Sequence, residues 1–128
     1  MIDVNLINGI ALAFEGDAIY STYVRKHLIM SGQTKPNQLH KMATHYVSAK
    51  AQANLIQVML DKQLLTEKEE EIYRRGRNAT SYTKAKNADV VTYRMSTGFE
   101  AVMGYLHMTD QIDRLEELIT LCIQFIDN

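Results

Sequence analysis

Apolar positions recur along the chain with the spacing of helices rather than strands. Alternating β-branched runs hardly occur, while Ala, Leu, Met, Gln, Glu and Lys fill the long segments and favour helix. The pattern predicts an all-α domain of about five helices, the count depending on whether the third continues the second. The first runs from about Leu6 to Met30 and stops at Ser31-Gly32. The second begins near Asn37, after the turn marked by Pro36, and covers "QLHKMATHYVS"; the third spans roughly Ser48 to Lys62. The fourth follows "LLT", with Thr66 as N-cap and "EKEEE" placing acids in the first turn, where they suit the helix dipole. It ends at Arg75-Gly76. A polar loop, "GRNATSYTKAKNAD", leads to a helix from about Val90 to Met108. A final helix fills "TDQIDRLEELITLCIQFI", capped by Thr109 or Asp110. No internal repeat and no long linker divides the chain, so residues 1–128 are expected to form one domain.

Two carboxylates interrupt this apolar patterning. On a helical wheel Asp17 shares a face with Ile10, Ala13, Phe14, Ser21, Val24 and Leu28, whereas Glu15 points nearly the opposite way. A lone carboxylate on a buried face is costly unless an Arg, backbone donors or a metal ion meets it. Gly16 beside it leaves room for another backbone. Glu100 is the single acid of "VVTYRMSTGFEAVMGYLHM", on a face with Tyr93, Ser96, Thr97, Gly104 and His107 and off the Met95, Phe99, Val102, Leu106 face. Gly104, one turn on, again permits close packing. Two such acids would repel each other unless a hard divalent cation sat between them, since such ions prefer oxygen ligands. His107 reads as a packing or hydrogen-bonding residue, and His40 and His45, five apart, as structural or surface residues.

Composition narrows the chemistry. A net charge of −1 means that any nucleic-acid contact needs a local basic patch. Such a patch exists: from Arg74 to Arg94 there are six basic residues, Arg74, Arg75, Arg77, Lys84, Lys86 and Arg94, against Asp89 alone, a local net of +5. Asn78, Thr80, Ser81, Tyr82 and Thr83 are interleaved. The segment is either a solvated loop or a grip on phosphates. As it leads straight into the helix of Glu100, the second alternative would put phosphate binding beside a metal-carboxylate centre, an arrangement suited to phosphodiester hydrolysis. The single cysteine, Cys122, excludes an internal disulfide and points to a reducing, cytoplasmic setting. Zinc-ligand spacing, a membrane-length apolar run and a signal peptide are all lacking in the pattern.

"LAFEGDAIY" resembles the signature helix of ribonuclease III nucleases, and "STGFEAVMGYL" resembles their second catalytic helix. With "TKPNQLHK", "VSAKAQA", "RGRNA" and "KNADVVTYRMST", the chain is similar to Mini-ribonuclease III, the short branch without a double-stranded-RNA-binding domain, from about Asn8 to Met108. The resemblance implies an all-helical homodimer cleaving double-stranded RNA with Mg²⁺ (or Mn²⁺ in its place). It also implies a role in maturing the ends of the large-subunit ribosomal RNA precursor, leaving 5′-phosphate and 3′-hydroxyl ends. Asp17 and Glu100 match catalytic, metal-holding acids of the family. Ala13 and Thr97 stand where two further carboxylates are usual, so the cation is expected to keep more of its water and bind more weakly. The RNA grip would then fall to Lys50, Arg74, Arg75, Arg77, Asn78, Lys84 and Lys86. The competing expectation is a non-catalytic RNA- or ribosome-binding protein on the same fold. An unrelated metal phosphohydrolase fits less well, because the clustered His-Asp or repeated E-x-x-E ligands of that class are missing.

Overall fold

The computed structural model describes residues 2–79 and 89–128, and is all-α with no strand among them. Thr80 to Ala88, including Lys84 and Lys86, lie outside the described residues. A short 3-10 turn at Val4–Leu6 precedes six helices: α1 Gly9–Met30, α2 Pro36–Val47, α3 Ala49–Asp61, α4 Glu67–Arg77, α5 Val90–Met108 and α6 Ile112–Asp127.

Local signals account for most boundaries. Asn8 accepts from Ala11 N–H at 2.9 Å and starts α1, three residues later than the pattern suggested, because the chain before it turns as 3-10. Gly32, at φ +105°, follows the end of α1. Pro36 opens α2, where its missing N–H costs nothing. The second and third helices are separate: Ser48 leaves helical geometry at ψ 156° and caps α3 by accepting from Ala51 N–H. Thr66 caps α4 as expected, and Glu69 returns the bond to the Thr66 backbone, completing a capping box that the reading of the acids as dipole partners did not include. Asp89 caps α5 through Thr92 N–H at 2.8 Å. Neither Thr109 nor Asp110 caps α6. Thr109 donates its hydroxyl back to Tyr105 O at 2.7 Å, closing α5, Asp110 turns left-handed at φ 57°, and Gln111 becomes the N-cap.

α5 is the central rod, packed by α1, α3, α4 and α6. Its residues from Ser96 to Leu106 are buried all round, except at Glu100. Tyr20 of α1 meets Phe99 edge-on at 4.9 Å and donates to Tyr46 O, tying α1, α2 and α5 together. α6 is fastened by Arg114, which donates to both Glu69 oxygens and to Leu64 O. Burial pushes the Glu69 carboxyl up, but the Arg114 and Thr66 donors outweigh it and hold the group below its ordinary range.

Candidate active site

The site lies where α1 crosses α5. A Cβ built on Gly16 would come 1.7 Å from Glu100 O, and one on Gly104 would come 1.8 Å from Leu12 O. Main chain therefore rests on main chain, as the two glycines suggested. This crossing sets the Asp17 and Glu100 carboxyls close enough to interact. Burial first, then the Asp17 hydrogen bond and its charge, push the Glu100 carboxyl up to about 8, against an opposing pull from Gln52. Gln52, on α3, donates its Nε2 to Glu100 Oε2 at 3.5 Å.

The phase of α1 differs from the wheel. Its buried face carries Leu12, Ala13, Gly16, Tyr20, Val24 and Leu28, while Asp17 is exposed on the rim of this face in the single chain. Phe14, taken with Asp17 as a core position, is 83% exposed; Ile10 is exposed beside it and Leu6 a turn before. The helix has two apolar stripes, one filling the core and one left open, so a single averaged face was misplaced. Glu15 is half-buried rather than outside, because α5 runs alongside: its Oε1 lies 3.4 Å from His107 Nδ1. That contact is off the hydrogen-bonding line, leaving Nδ1 without a hydrogen-bond partner among the described residues. His40 and His45 are exposed.

The usual carboxylate positions are structurally occupied. Ala13 is packed in the core, and Thr97 is buried with its hydroxyl donated to Tyr93 O at 3.1 Å. Among the described residues no group of three or more His, Cys, Asp or Glu is gathered to hold a metal ion. What the site offers is a pair of carboxyls, one half-buried, forced together by the backbone crossing. A hard divalent cation fits that donor set: it would relieve their repulsion and take its remaining ligands from water.

The basic residues divide. Arg74 and Lys50 are exposed, and Lys50 lies two residues along α3 from Gln52, which touches Glu100. Arg77 sits over the Tyr73 ring at 5.6 Å with its Nε on Asn78 Oδ1. Arg75 is engaged inward: its Nη1 donates to Asn5 O at 2.9 Å and Ile7 O at 3.2 Å, while Nη2 pairs with Glu71 at 3.0 Å. Sequence patterning missed Gln52, since a glutamine in a helix carries no signal until the packing buries it.

Residues 10–111 match the model of the ribonuclease III domain. Over 127 residues the chain is 75% identical to the Mini-ribonuclease 3 of Streptococcus pneumoniae, with 99% of both chains covered. It is 64% identical over 124 residues to the Mini-ribonuclease 3 of Enterococcus faecalis, covering 97% of this chain and 94% of that one. A crystal structure of a Fusobacterium nucleatum protein superposes with a TM-score of 0.82 at 26% identity, covering 97% of this chain and 98% of the other. With the acid pair at the crossing of the two motif-bearing helices, these matches lead to one conclusion: the chain belongs to the Mini-ribonuclease III branch of the ribonuclease III family and is an endoribonuclease of double-stranded RNA.

Proposed function

We propose that the chain is a Mg²⁺-dependent enzyme, acting in the cytoplasm as a two-fold homodimer, that matures the ends of the large-subunit (23S) ribosomal RNA precursor. The observation that carries the catalytic part is the meeting of Asp17 and Glu100 across the Gly16–Gly104 contact. Both acids would hold the cation, with Mn²⁺ able to substitute. When bound, the cation would supply an activated water and stabilise charge on the phosphate and leaving oxygen, and the products expected of such hydrolysis carry 5′-phosphate and 3′-hydroxyl ends.

The chain's own residues bind and orient. Arg74, Arg77, Asn78, Lys84, Lys86 and Lys50 supply cations and donors for an A-form backbone, whose phosphates and 2′-hydroxyls are the accessible features. Arg75 contributes charge to the same region while its guanidinium is engaged with the N-terminal segment. The homodimer is supported by the open stripe of Leu6, Ile10 and Phe14, which ends beside Asp17. A two-fold seam there would set one acid pair against each strand of a duplex. The ribosomal substrate rests on the family resemblance alone.

The test is purified chain with duplex RNA and with the precursor of the large-subunit RNA, with and without Mg²⁺, followed by analysis of product ends. Cutting of both strands to 5′-phosphates only with the cation is expected. Binding without cutting would favour the non-catalytic alternative, and cutting of generic duplex with no preference for the precursor would remove the ribosomal assignment.

A further inference from the structure

Gln52 is 2% exposed, one of four buried polar or charged residues among the described residues. The others have evident partners: Glu69 meets Arg114 and Thr66, while Ser96 and Thr97 bond back to Tyr93 O. Gln52 has only Glu100 as a side-chain hydrogen-bond partner among the described residues, at 3.5 Å. Burying a primary amide is costly unless it is matched. It sits in the first turns of α3, whose start is fixed by the Ser48 cap, so its reach toward α5 is set by rigid elements on both sides. We infer that Gln52 is a positioning residue, its amide N–H holding one oxygen of the Glu100 carboxylate and leaving the other for the cation shared with Asp17. The inference rests on the metal-dependent cleavage proposed above. With only two acids in the site, orientation of each carboxylate matters more than it would in a fuller shell, and outer partners of a metal ligand commonly govern affinity tenfold or more.

Gln52→Met keeps length and apolar bulk and deletes the donor. The expected result is 10- to 100-fold weaker Mn²⁺ binding by the RNA-free protein, read by electron paramagnetic resonance. Cleavage at fixed subsaturating Mg²⁺ should show a similar fall in kcat, with KM for RNA unchanged. Gln52→Asn, with the amide retained on a shorter arm, should recover part of the loss. Mn²⁺ affinity and kcat both within twofold of the parent would overturn the inference, as would a rise in KM alone, which would make Gln52 an RNA contact. If Gln52→Met does not fold, the side-chain amide resonance of Gln52 in the parent decides. It must move on adding Mg²⁺ and in Glu100→Gln, and a fixed resonance rejects the role. A parent that neither binds Mn²⁺ nor cuts duplex would instead sink the metal-dependent function itself, a separate outcome from an active parent with an indifferent Gln52.

Discussion

Glu100 carries a proton that the fold helps it keep. Burial and the facing Asp17 carboxyl raise its pKa from 4.5 to about 8, so in the metal-free protein the neutral form dominates at pH 7. The folded chain then holds a proton that the unfolded chain releases, and the stability this confers is complete below about 4.5 and lost as pH rises through about 8. Melting of the metal-free protein should therefore fall over that window, and Glu100→Gln should flatten the dependence; parallel curves for parent and variant would count against the assignment. A cation needs the anion, so calorimetry in buffers of differing ionisation heat at pH 7 should show close to one proton released per site. Asp17→Asn and Glu100→Gln should fold and bind duplex RNA yet cut more than ~10²-fold more slowly, beyond what loss of an outer-shell partner produces. A variant cutting at the parental rate in a quenched time course would remove that residue from the site. Glu15→Gln should leave cleavage close to the parent. At this scale the pattern singled out two acids and two glycines, and the fold brings all four to one crossing. The exposure of Asp17 was hidden, because Phe14 and Ile10 looked like core positions and shifted the wheel.

At the scale of elements, boundaries were readable wherever a side chain does one local job. Thr66 caps α4 and α5 spans Val90–Met108 as the pattern suggested, whereas the Asp89 cap was not foreseen and Pro36, read as part of the turn, is the first residue of its helix. The start of α6 was not readable, because Thr109 is spent on the preceding helix and only three-dimensional accounting shows it. Arg75 is a similar case: composition places it in a basic run, while packing makes it a strut between α4 and the segment before α1. Arg75→Met should lower stability by about 2 kcal/mol, the scale of charged hydrogen bonds to backbone and carboxylate. It should change the salt dependence of RNA binding little. Arg77, Lys84 and Lys86 changed together to Ala should do the reverse, flattening the log–log salt slope by about 0.9 per lost phosphate contact, on the B-DNA scale. Binding titrations across a salt series in Ca²⁺ compare the two, and an unchanged slope for the triple variant would place the RNA path elsewhere.

For the molecule as a whole, an all-α domain was legible from periodicity, but the unfilled stripe was not, since the pattern cannot say which apolar residues the single chain leaves uncovered. Phe14→Glu places a charge at the Asp17 end of that stripe and leaves the core alone, Phe14 being 83% exposed. The proposed dimer should dissociate at micromolar concentration by sedimentation equilibrium, with helix content retained, and single-strand nicking should replace paired cutting. An unaltered sedimentation profile would locate the seam on another face.

The contact of main chain on main chain at Gly16 and Gly104 has a consequence for how this enzyme tolerates mutation. The spacing of its acids is gauged by two backbones in touch, with no intervening side chain whose size could drift. Random substitution of distant core residues such as Leu118, Ile119 or Cys122 should lower the temperature at which the chain melts while the surviving folded molecules turn over at an almost constant rate. Gly16→Ala, by contrast, pushes a methyl into Glu100 O and should cost at the upper end of the ~1–3 kcal/mol typical of overpacking. It should also slow the chemistry of whatever remains folded. A mutational library scored for both abundance and cutting would separate the two behaviours, with only the crossing residues losing activity per folded molecule.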